Sequence, residues 1–136
     1  MLKISFIICF YSCFGLCFGQ DVLSISQYSP SNDYENIHVE RIAGDSLSTS
    51  FMIWIKDTVK THKHEWHSET VYTLEGEGII YFNDSIQQIL TKGSIVFIPK
   101  GTWHAVKVTS EEPMQVLSVQ SPGFYGEDRI FKPLKK

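Results

Sequence analysis

Beyond residue 19 the chain contains no cysteine. All three, Cys9, Cys13 and Cys17, lie in the first nineteen residues, so a chain beginning at Gln20 can form no disulfide and perform no thiol chemistry. Such a fold must be held by its apolar core, helped at most by a metal. An excess of positive charge is also missing. Twelve Lys and Arg stand against fifteen Asp and Glu, for a formal net charge of -3, and this sets aside the electrostatic footprint of a nucleic-acid-binding protein. No window has a helical period, and there is neither an internal repeat nor a low-complexity tract, which argues against bundles, solenoids and βαβ folds.

Long apolar runs are absent except at the start, where Lys3 is the only charge before a run over residues 4–19. A positive start, an apolar stretch somewhat short for a spanning helix, and a small residue at Gly19 before Gln20 form a signal-peptide pattern. Residues 1–19 are therefore expected to direct export, periplasmic or secreted, with no stable membrane insertion after cleavage. An uncleaved membrane anchor is the competing reading.

What remains is long enough for one domain. Residues 20–36, rich in Ser, Asn and Asp, read as a polar leader. Residues 37–120 carry eight short β-type runs, at 37–42, 49–55, 70–74, 79–82, 86–90, 95–98, 103–108 and 114–119. Turn signals separate them: Gly76 and Gly78, Asn83-Asp84, and Lys92-Gly93. This spacing predicts an all-β antiparallel sandwich or barrel. The tail, 121–136, contains Pro122, Gly123, Gly126 and Pro133 and is expected to be irregular, covering one end of the barrel.

The chemistry concentrates in two places, THKHEWHSETVYTLEGEG and GSIVFIPKGTWHAV. His62 and His64 are two apart, so on a strand both imidazoles project from one face and can converge on one ion. Glu69 lies at an odd offset from them. A turn or bulge within Glu65–Ser68 must reverse the parity if Glu69 is to face inward with Val71 and Thr73. Imidazole and carboxylate together suit Mn, Fe, Co, Ni, Cu or Zn. Taken alone, a His-x-His pair is often only a solvated polar face.

At these residues the sequence resembles the cupin superfamily, whose first motif runs Gly-x5-His-x-His-x4-Glu-x6-Gly and whose second runs Gly-x5-Pro-x-Gly-x2-His-x3-Asn. His62, His64, Glu69 and Gly76 fit the first spacing, and Gly93, Pro99, Gly101 and His104 fit the second. Lys56 replaces the first glycine and Val108 the final asparagine, so the strand beyond His104 should be more apolar than in a typical member. The resemblance implies a single-domain jelly-roll β-barrel with one divalent transition-metal ion on His62, His64, Glu69 and His104. It further implies a small-molecule substrate and a metal-dependent isomerase, lyase or dioxygenase. A non-enzymatic ligand-binding or sensing module is the alternative, and a barrel with an incidental metal is a third reading.

The remaining candidates read more plainly. His67 is expected as a solvated turn residue near the site mouth, with a substitute ligand or proton carrier as its alternative role, and His38 as structural. Trp54, Trp66 and Trp103 read as core or rim. Asp128 and Arg129 could close over the opening but read as surface ion-pairing residues, and the run 37–42 reads as an edge through which two copies could pair.

Overall fold

The computed structural model describes residues 22–133. The expected signal segment and all three cysteines lie outside these residues. The described part contains one 3-10 turn, Ile25–Gln27, and ten strands: β1 (Ile37–Gly44), β2 (Thr49–Ile55), β3 (Thr58–His64), β4 (Ser68–Glu75), β5 (Gly78–Phe82), β6 (Ile86–Leu90), β7 (Ile95–Ile98), β8 (His104–Val108), β9 (Met114–Ser121) and β10 (Arg129–Phe131). They form two five-stranded sheets, ordered β1-β2-β9-β4-β7 and β10-β3-β8-β5-β6, and every pairing is antiparallel. This is the expected jelly roll.

Alternation builds the core. Phe51, Ile53 and Ile55 of β2 point inward against Ile80, Ile98, Met114 and Val116 from both sheets. Each such side chain contributes about 1.5–3 kcal/mol on burial. Val108, at the position where the motif has asparagine, joins this core, so the apolar inner wall read from the sequence is present. The outer face of β2 is also covered: Trp54 is buried and lies under the His38 ring, with centroids 5.6 Å apart, and His38 lies in turn against Tyr34 of the leader.

Turn chemistry follows the sequence closely. Gly76, Gly93 and Gly101 take φ of 76°, 90° and 78°, and Asn83 and Asp84 are the two non-glycine residues with positive φ among those described. Two strands were not among the expected runs. β3 reads T-V-K-T-H-K-H, too polar to stand out except through its histidine pair. β10 lies in the tail expected to be irregular; its three residues pair with the outer edge of β3, opposite His62, Lys63 and His64, and so satisfy backbone groups that would otherwise be an open edge.

Candidate metal centre

β3 and β8 meet with one extra residue on β3. Val59 pairs with Val106 and His62 with His104, three residues along one strand against two along the other. This bulge at Lys60 and Thr61 shifts the parity, so that His62 faces the interior that Val59 also lines. Continuing with period two, His64 faces the same way.

The chain then crosses from one sheet to the other through residues 65–67, and Glu69 enters from β4 facing the interior together with Val71 and Thr73. The expected parity reversal thus takes place within the predicted segment. His62, His64 and His104 come from one sheet and Glu69 from its opposite.

The four residues predicted from the sequence are brought together, each no more than 6% exposed. The His62 ring lies 4.2 Å from that of His104 and 5.2 Å from that of His64, centroid to centroid. Glu69 Oε2 is 3.5 Å from His64 Nε2 and 3.5 Å from His104 Nε2. Donors about 2.0–2.2 Å from a shared ion stand roughly 3–3.5 Å apart, so this spacing fits one.

Second partners fix the rings. His62 Nδ1–H donates to the Lys60 carbonyl at 2.9 Å, and His104 Nδ1–H to that of Thr102 at 3.0 Å. Both rings are therefore held in the tautomer whose Nε2 lone pair is free. His64 is buried with neither ring nitrogen hydrogen-bonded among the described residues, although its Nδ1 has Asp128 Oδ2 3.8 Å away. A buried imidazole with two unsatisfied nitrogens is costly unless a ligand uses one of them. The nitrogens of His62, His64 and His104 lie close enough to hold a metal ion together.

Electrostatics agree. Burial, and then the neighbouring His104, push His62 down to about 3, so its ring stays neutral and available. Burial alone would raise the Glu69 carboxyl, but the close imidazoles of His104 and His64, with their Nε2 atoms 3.5 Å from its Oε2, and the Ser118 hydroxyl outweigh it and hold the group well below the usual range. Its Oε1 accepts from Ser118 Oγ, with Gln120 Nε2 at 3.5 Å. Both are buried and lie on β9. Sequence reasoning missed this pair; the signal was Met114-x-Val116-x-Ser118-x-Gln120, where an inward apolar alternation turns polar beside Glu69.

Three expectations need correction. His67 is not solvated: it is 4% exposed, pairs through Nδ1 with the Asp128 carboxylate, and has its Nε2 3.2 Å from the Gly123 carbonyl. Asp128 is not a surface ion-pairing residue. It is buried, and its two oxygens accept the backbone N–H groups of Glu65, Trp66 and His67 at 2.9–3.1 Å. Three successive peptide donors in a tight crossover need an acceptor, and Asp128 supplies it. Arg129 is exposed on β10 as expected, but it makes no ion pair among the described residues and stands at the edge of the barrel cavity instead. Of the tryptophans, Trp54 is buried, Trp66 is exposed and Trp103 is half-buried; none lines the cavity.

That cavity, about 60 Å³, is bounded by His62, Glu69, His104 and Arg129 and otherwise by apolar side chains such as Val59, Val71 and Val106.

Comparison with known proteins agrees with this geometry. The family profile described as cupin domain matches residues 51–120, more than half of the chain. An uncharacterized protein of Aquifex aeolicus (strain VF5) is 31% identical over 96 residues, covering 71% of this chain and 78% of that one. The chain belongs to the cupin family. Among solved structures, an uncharacterized double-stranded β-helix protein of Klebsiella pneumoniae superposes with a TM-score of 0.72 at 17% identity, over 85% of this chain and all of that one. A tryptophan-to-phenylalanine variant of Bacillus subtilis oxalate decarboxylase gives 0.65 at 16% identity over 73% of this chain, which spans only 29% of that protein. At these identities the likeness shows the fold.

Proposed function

We propose that the chain is an exported metalloprotein in which His62, His64, Glu69 and His104 hold one divalent transition-metal ion for chemistry on a small polar metabolite, carboxylated or sugar-derived. The observation that carries the reading is His64, buried with both ring nitrogens unsatisfied among rings already set in the ligating tautomer.

When bound, such an ion supplies Lewis acidity toward a substrate carbonyl or carboxylate. The residues supply the rest. Glu69 is kept anionic by Ser118 and its histidine neighbours. His62 is kept neutral by burial. Val59, Val71 and Val106 keep bulk water from the reacting face. Oxalate decarboxylase, which by its name acts on a small dicarboxylate, uses this fold, and that supports the substrate class.

A binding or sensing module is the second reading, favoured by one observation. Apart from the four proposed ligands, Arg129 is the single titratable group among the described cavity residues, so no separate acid or base stands beside the ion.

Incubation of the metal-loaded chain with hydroxy, oxo and sugar acids separates the two. Product that forms only with metal and is lost in His104→Ala supports the enzyme; thermal stabilisation without turnover supports the binder. The export reading predicts that protein recovered from outside the cytoplasm begins at Gln20, which its intact mass will show.

A further inference from the structure

Among the described residues Arg129, itself exposed, is the one charged group lining the barrel cavity besides Glu69. It makes no hydrogen bond or ion pair among the described residues, whereas nearby cations are engaged: Lys63 with Glu65 at 2.7 Å and Lys132 with Asp84. Its direction follows from register. On β10 it stands opposite His64 of β3, and Phe131 opposite His62. Residues directly opposed on antiparallel strands share a face, so Arg129 points to the side where the histidines converge.

Its backbone is fixed as well. The preceding residue, Asp128, is pinned to three peptide N–H groups of the 65–67 crossover, so the guanidinium is offered from a braced strand.

We propose that Arg129 binds the carboxylate of the ligand, pairing with it at the cavity mouth while the ligand's other end meets the metal site. This inference rests on the metal reading above. The charge balance points the same way: a divalent ion and a guanidinium carry three positive charges against the two buried carboxylates nearby, Glu69 and Asp128, and an anionic ligand meets the surplus. A planar guanidinium presents paired donors that match a carboxylate's two oxygens.

The test uses the chain from Gln20, loaded with Mn²⁺ and titrated calorimetrically with malonate and succinate, each beside its monoamide, and with inorganic phosphate. At least one diacid is expected to bind more tightly than its monoamide. Arg129→Gln should weaken that diacid by roughly tenfold to a hundredfold, with the monoamide little changed, and Arg129→Lys should recover part of the loss. Equal diacid affinity in native and Arg129→Gln protein overturns the proposal, as does a failure to prefer either diacid over its monoamide. Phosphate binding as tight as the diacids, and equally dependent on Arg129, overturns the carboxylate assignment. Metal content read by elemental mass spectrometry on the same samples keeps the two readings apart. Full occupancy in Arg129→Gln protein places any lost discrimination on the arginine, and an empty native protein counts against the metal reading.

Discussion

His62 and His104 each bond to the carbonyl two residues upstream, so the peptide that carries each ring also selects its tautomer. Neutrality has a consequence for acid stability. His62 is pushed by burial from an ordinary 6.5 to about 3, so between those values the unfolded chain takes up a proton that the native ring refuses. Stability of the metal-free protein should therefore be level above pH 7 and fall by about 1.4 kcal/mol per pH unit as pH drops from 6.5 toward 3. Glu69 and Asp128, both held below their ordinary values, add a loss of the same sign below about pH 4.5. Urea midpoints measured from pH 8 to 4 check this; a midpoint unchanged between pH 7 and 4 contradicts it. The four convergent residues were legible because strand period and motif spacing are properties of the sequence itself. Ser118, Gln120 and Asp128 were much less so: each matters through a partner about 50 to 60 residues away, and nothing local marks such a pairing.

At the scale of elements, the turns carry the most predictable energies. Gly76 holds φ of 76°, and a Cβ there would lie 2.8 Å from Met114 Cα, whereas Gly101 at 78° has open space around it. Gly76→Ala should cost about 2–3 kcal/mol and Gly101→Ala about 1 kcal/mol; equal losses in urea unfolding would remove the steric part of the argument. The crossover from β3 to β4 is a different case, because its peptide donors are satisfied by a residue of the tail. Asp128→Ala should destabilise by about 2–4 kcal/mol, and Asp128→Asn, which keeps one acceptor oxygen, by less. Denaturation of both variants checks the order. The sequence showed that the crossover must reverse parity at 65–68, because His64 and Glu69 could not otherwise face one another. It did not show what holds the crossover, since the tail's prolines and glycines concealed a three-residue strand that forms only because β3 offers it an edge.

Taken as a whole, the molecule is two sheets packed face to face, and the proposed ligands come from both, His62, His64 and His104 from one and Glu69 from the other. An ion held there would tie the two sheets together beside the apolar core that Ile80, Met114 and their neighbours build between them. Binding to the native state alone stabilises it by mass action, about 2.7 kcal/mol at a hundredfold excess over Kd. Removing the ion with EDTA should accordingly lower the melting temperature, and restoring the ion should raise it again, in native protein but not in His64→Ala. The most direct measurement is the ion itself. The chain from Gln20, purified without chelator and analysed by elemental mass spectrometry, should carry about one divalent transition-metal ion per molecule, with His64→Ala and His104→Ala folded by circular dichroism and largely empty. Native protein that stays empty after exposure to Mn, Fe, Co, Ni, Cu and Zn, or variants as fully loaded as the native chain, would contradict the account.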